Sequence, residues 1–207
     1  MSLGSWSAHA DEAAAADKSW VRQQVVTSAF AFEVLVFAEE DDRFGADGVR
    51  IIDRRRASVV QEILNAGGMG VLRPADRLLS VVDANFDGHP DLVLAFADGG
   101  AGPNNTDHFY IFNPKTGRFE FDEQLSDMTQ VQIHRNGTIT SASRGGCCQH
   151  SSETYLYVRG ALTQVASWDE AYTADGRWIV TTVGRLRNGK WHQTTKRVRQ
   201  PPERFSR

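Results

Sequence analysis

Apolar and polar positions alternate along much of this chain. Phe30, Phe32, Val34 and Val36 share one face of a β-strand, and Ala31, Leu35 and Phe37 make the second face largely apolar too. A period of two is the signature of a strand, because successive side chains point to opposite faces. Glu39-Glu-Asp-Asp42 marks an acidic turn, and strand-like runs follow at 49–52 and 57–64. The second run has features of both strand and helix, and Asn65-Ala-Gly-Gly-Met-Gly70 ends it. Residues 78–82 and 91–96 form a pair of short apolar runs, and residues 109–112 and 118–121 flank the turn signal Asn113-Pro-Lys-Thr-Gly117. Further runs at 130–134, 138–143, 154–158, 161–167, 178–183 and 191–198 are punctuated by Asn136-Gly, Arg159-Gly, Asp175-Gly and Asn188-Gly. Regular short strands with glycine turns predict an all-β chain, an antiparallel β-sandwich or propeller-like meander. No long helical stripe and no βαβ alternation is present. Residues 1–19 are polar and Ala-rich and read as a flexible leader to a single β-rich domain over 20–207.

The connection between the runs at 78–82 and 91–96 carries the clearest chemistry. It reads Asp83-Ala-Asn-Phe-Asp-Gly-His-Pro-Asp91, with oxygen-bearing side chains at loop positions 1, 3, 5 and 9. Calcium takes six to eight oxygen ligands, and this spacing wraps one short segment around the ion. Asp83, Asn85, Asp87 and Asp91 supply side-chain oxygens, the carbonyl of His89 falls at position 7, and Gly88 permits the sharp turn. An EF-hand would need a glutamate at position 12, where Leu94 stands, so the loop is expected between strands. A plain Asp-Gly hairpin turn would not need three carboxylates in nine residues. All the donors are hard oxygens without a histidine pair, so the expected Ca²⁺ is structural and does not activate water.

Composition narrows the rest. The 207 residues carry a net charge of −3, with 41% hydrophobic residues. That balance gives no sign of a nucleic-acid partner, and no apolar run approaches the ~20 residues of a membrane span. Ser7-Ala-His-Ala10 is either the small-residue end of a secretory signal or an ordinary Ala-rich leader. Cys147 and Cys148 are adjacent, and either form a vicinal disulfide or remain two thiols. Gly-x-Ser-x-Gly elbows, phosphate loops and recognisable Cys/His pairs are missing, so no enzyme is expected. Trp20, Trp168, Trp178 and Trp191 are expected to anchor the core.

The calcium loop resembles those of FG-GAP repeats, yet it occurs once, which argues against a repeat propeller. The wider order of motifs is similar to another family. After the loop come a Gly/Asn-rich segment, Phe109-Tyr-Ile-Phe-Asn-Pro-Lys-Thr-Gly-Arg-Phe119, Thr138-Ile-Thr-Ser-Ala-Ser-Arg-Gly-Gly146, and Glu153-Thr-Tyr-Leu-Tyr157. Over roughly residues 78–168 this order resembles bacterial periplasmic lysozyme-inhibitor and immunity proteins, similar in fold to the invertebrate-type lysozyme inhibitor. The resemblance implies a secreted or periplasmic calcium-binding β-domain that inserts a loop into a lysozyme-like peptidoglycan hydrolase. Two departures stand out. A Ser-Gly-x-x-Tyr element is not evident, and the Cys147–Cys148 pair is foreign to the pattern.

Two loops are candidates for contacting such a partner. The first, 98–108, offers Asn104, Asn105, Asp107 and His108 and runs into Tyr110. The second, 143–153, offers Arg144 and His150. A lysozyme cleft holds a sugar chain between two carboxyl groups, and polar groups on a glycine-rich loop can reach them. The alternative reading is a calcium-stabilised carbohydrate- or surface-binding module without inhibitory activity.

Overall fold

The computed structural model describes residues 17–98 and 104–200. Most of the expected leader and part of the 98–108 loop lie outside them. The chain forms an all-β sandwich, with 14 strands, one 3₁₀ turn and one four-residue helix among the described residues. The first sheet runs β1 (Ser19–Val26), β2 (Phe30–Ala38), β3 (Phe44–Asp53), β4 (Ser58–Val71), β6 (Asp91–Ala97), β7 (Thr106–Asn113) and β8 (Arg118–Asp122), with β5 (Leu79–Val82) paired to β6. The second sheet is an antiparallel meander of β9 (Gln132–Ile133), β10 (Thr138–Arg144), β11 (Gln149–Val158), β12 (Ala161–Tyr172), β13 (Trp178–Arg187) and β14 (Lys190–Arg199). The helix α1 (Glu123–Ser126) follows β8, capped by the Asp122 carboxylate accepting from the Leu125 N–H.

Strand β6 explains the layering. Asp91-Leu-Val-Leu-Ala95 is buried on both faces, with no residue of the five above 7% exposure. Leu92 and Leu94 point into a first core with Phe32, Val34, Val49, Ile51 and Phe119. Val93 points the other way, into a second core with Phe109, Leu125, Ile139 and Tyr155. Alternation on β6 and β7 therefore feeds two cores at once. The first sheet folds over the first core, its two halves joined by a single parallel bridge, Met69 to Ala97.

Side-chain amides close the fold where strands do not pair. Gln61 of β4 is buried; its Nε2 donates to the Phe119 carbonyl at 2.7 Å and its Oε1 accepts from the Phe119 N–H at 2.9 Å. Gln23 of β1 does the same for the segment before β5, donating to the Ala75 carbonyl at 2.9 Å and accepting from Leu79 N–H at 3.1 Å. Each glutamine stands in for a neighbouring strand and satisfies backbone groups that would otherwise be buried unpaired.

Three expectations change. The run at 57–64 is a strand, and the glycine-rich segment after it continues β4 to Val71 through bulges, with positive φ at Asn65, Gly67 and Gly70. Gly68 brings the strand close to its neighbours: a Cβ would sit 3.1 Å from the Phe96 carbonyl oxygen and 3.3 Å from those of Ala46 and Ala95. A strand precedes Phe30, because Val21 and Val25 pack on the first core although polar residues separate them. The tryptophans are not core anchors. Trp20 lies under the Arg50 guanidinium, Trp178 under that of Arg197, Trp168 is half-buried, and Trp191 is 42% exposed.

Replacing Gln61 with Met keeps the volume and removes both hydrogen bonds to Phe119. Chemical denaturation should show a loss of about 2–4 kcal/mol, the cost of two buried backbone groups left unpaired. A loss below about 0.5 kcal/mol would show that the amide does not close the sheet.

Candidate metal loop and adjoining clefts

The 83–91 loop joins β5 to β6 and is folded around its own N–H groups. The Asp83 carboxylate accepts from the Asp87 and Gly88 N–H groups, both at 3.0 Å. Asn85 Oδ1 also accepts from Asp87 N–H at 3.0 Å, and Asn85 Nδ2 donates to Asp87 at 2.9 Å. The other Asp87 oxygen accepts from His89 N–H at 2.8 Å. Phe86 and Gly88 take positive φ, 61° and 84°, which turns the chain back on itself. The Phe86 ring packs towards Tyr157, and the His89 ring lies against Phe112.

Asp91 is the anchor. It is fully buried, and its two oxygens accept from the Ala84 N–H in the loop and the Phe112 N–H in β7, each at 2.8 Å. Burial pushes its carboxyl up to about 6, and the nearby Asp87 charge adds to the rise, against the pull of its N–H donors. Burial also raises the Tyr157 phenol, with Asp122, Asp91 and Asp87 contributing. The loop is thus a concentration of negative charge without a cation of its own. Its donors are hard oxygens at the spacing calcium takes. Among the described residues, no three His, Cys, Asp or Glu side chains converge closely enough to form a metal cluster as they stand. Donor type, spacing and charge fit Ca²⁺, and closing the shell requires the loop oxygens to draw together. Phe112 could not have been found from the sequence, since it contributes only a backbone N–H from a strand 21 residues away.

The candidate partner residues separate into two groups. Asn104, Arg144 and His150 line one cleft of about 480 Å³, together with Ser151, Asp169 and Glu170. Asn104 pairs with Arg144 as a strand would, its Oδ1 accepting from the Arg144 N–H and its Nδ2 donating to the carbonyl, both at 2.9 Å. Asn105 accepts the Gln130 N–H at its carbonyl. The other residues lie in β7. Tyr110 is 4% exposed and belongs to the first core, so it is not a contact residue. His108 stacks on Phe96, and burial lowers its pKa. Asp107 is held 3.7 Å from Arg73, and burial raises its pKa. Strand β7 begins at Thr106, so Asp107 and His108 are strand residues rather than loop residues. Asp169 and Glu170 escaped the sequence reading. The Arg159-Gly160 turn sets the β11–β12 register and places them opposite Ser151 and His150, but a bulge at Thr154/Tyr155 shifts the count by one. Cys147 and Cys148 form a vicinal disulfide at the tip of the β10–β11 hairpin.

No family model matches this chain, and no curated protein does. A solved structure described as a Xanthomonas type IV secretion system related protein is similar over 86% of each chain, at 17% identity and a TM-score of 0.49. A likeness of that strength carries no argument about what the chain does.

Asp91 has a raised folded pKa, so its contribution to stability is greatest below the ordinary carboxylate value of 3.8 and is lost as pH rises through about 6. Metal-free protein should therefore become less stable across that window, by up to about 3 kcal/mol at 1.36 kcal/mol per unit. Thermal melts in chelator should show the slope in the wild type and a flattened one in Asp91→Asn. Identical slopes would remove Asp91 as the titrating group.

Proposed function

We propose that this chain is a calcium-binding inhibitor or immunity protein for a lysozyme-like peptidoglycan hydrolase, acting in the periplasm or outside the cell as a binder rather than a catalyst. The observation that carries the reading is the 83–91 loop, whose oxygens are gathered by its own N–H groups and which Asp91 ties to β7. Asp83, Asn85, Asp87 and Asp91, with the His89 carbonyl, would hold the ion. When bound, Ca²⁺ supplies neutralising charge and rigidity. The chain's own residues do the recognition. Arg144 and His150 stand at the rim of a polar cleft, and Asn104 fixes the strand that carries Arg144. A cationic side chain there can pair with the acidic groups of a glycoside-hydrolase cleft.

The alternative, a glycan- or surface-binding module, is favoured by one feature of the second sheet. Register places Ser143, Ser151, Asp169, Thr182 and Thr195 in a single row across β10–β14. A row of hydroxyl and carboxyl groups suits a polyhydroxylated chain. Binding to isolated glycan strands without inhibition of any hydrolase would select this reading.

Two outcomes test the leading proposal. Calcium should raise the melting temperature and EDTA should reverse it, with about 2.7 kcal/mol gained at a hundredfold excess over Kd. Asp87→Ala should abolish that response, and a calcium effect that survives it would place the ion elsewhere. Purified protein should suppress cell-wall lysis by its cognate hydrolase near one-to-one stoichiometry, and Arg144→Glu should weaken inhibition at least tenfold at unchanged melting temperature. Inactivity against a broad panel of lysozyme-like hydrolases would reject the inhibitor role.

A further inference from the structure

The charges of this chain are segregated. Residues 177–199, which form the β13–β14 hairpin and the residue before it, contain seven cations and no carboxylate. Without them the chain has 16 basic against 26 acidic residues, a balance of −10. Arg177, Arg185 and Arg187 lie on the β13 side, and Lys190, Lys196, Arg197 and Arg199 on β14. The strands pair without interruption from Trp178–Arg199 to Arg187–Lys190, a ribbon about 30 Å long at the strand rise. β14 is the sheet edge, and all ten of its residues are exposed. Among the described residues, only Arg177 of the seven makes an ion pair, to Asp175 at 4.0 Å. Arg197 lies over the Trp178 ring at 4.4 Å, and the other five are exposed.

Edge protection alone does not account for the pattern. A lysine or two on β14 would discourage strand pairing. Here the cations occupy both strands and both faces, with Lys190 and Lys196 on one face of β14 and Arg197 and Arg199 on the other. Apolar side chains are interleaved with them. Trp191 and Val198 are 42% and 45% exposed, and Trp191 pairs with Leu186 one step from Arg187–Lys190 and the Asn188-Gly189 turn. The Trp191 ring lies over Gly184, where a Cβ would come within 2.3 Å of it, so the indole rests flat on the ribbon. At the exposed tip, Arg187 and Lys190 stand beside Trp191 and Leu186, the combination that a charged bilayer interface selects. A nucleic-acid duplex would use the cations and leave Trp191 and Leu186 at the tip without an apolar partner.

We propose that the β13–β14 hairpin docks on the anionic headgroup surface of a lipid bilayer, with its tip and outer edge at the interface and no span across it. The proposal stands apart from the calcium and inhibitor readings. It also orients the molecule, since the acidic remainder is repelled by the same surface.

The test uses the full chain in EDTA, so that calcium cannot bridge acidic groups to lipid. Co-sedimentation is measured with vesicles of phosphatidylcholine alone and with one third phosphatidylglycerol. Binding is expected to the anionic vesicles only, with a blue shift in tryptophan emission and steep weakening as salt rises. Each cation near such a surface is worth roughly fivefold in partition. Arg187→Ser with Lys190→Ser should therefore lower binding about 25-fold, and Trp191→Ala several-fold, with melting temperatures unchanged. The proposal is overturned by no binding, by equal binding to both vesicles, or by variants that bind like the wild type. Tighter binding to duplex DNA or to polyglutamate at matched salt would overturn it too, and assign the hairpin to that partner class.

Discussion

The buried carboxylate of Asp91 holds together two places the chain must align. One oxygen takes the Ala84 N–H at the entrance of the loop, and the other takes the Phe112 N–H in β7. The residue also opens β6, whose next four side chains divide between the two cores. The loop conformation, the β6–β7 pairing and the alignment of both cores thus meet at one side chain. A buried carboxylate with Asp87 nearby is costly when ionised, and hydrogen bonds relieve that cost only in part. A cation in the loop would remove the remainder. With the proposed calcium bound, the loop would be a structural fastening whose strength depends on the ion.

Much of this fold was legible because period-two patterning and glycine turns report strands directly. The hairpins at Arg159-Gly and Asn188-Gly and the strand run at 91–96 all fell where expected. What stayed hidden depended on partners distant in sequence. The bulged half of β4 looked like a terminator because glycine marks both turns and close approaches, and the backbone neighbours of Gly68 on β3 and β6 are distant in sequence. The strand surrogates Gln23 and Gln61 look like ordinary surface glutamines until the sheet folds over. Tyr110 was itself a candidate contact residue, yet the alternation of β7 turns it into the first core. The tryptophans misled for a related reason, since cation contacts with Arg50 and Arg197 hold two of them outside the cores.

The charges of the molecule are unevenly distributed. The loop gathers Asp83, Asp87 and Asp91 at the junction of the two cores. The far edge of the second sheet carries the cations. The cleft on β10–β12 brings Asn104, Arg144 and His150 together, a grouping the sequence had split between two loops.

The central claim is that the Asp91 carboxylate is strained by burial and relieved by calcium. Site-specific carbon NMR titration of Asp91, without and with calcium, tests it most directly. Metal-free protein should titrate at about 6, and calcium should bring the value down to the ordinary carboxylate range or below it. A titration near 3.8 without metal, or one that calcium leaves unmoved, would contradict it.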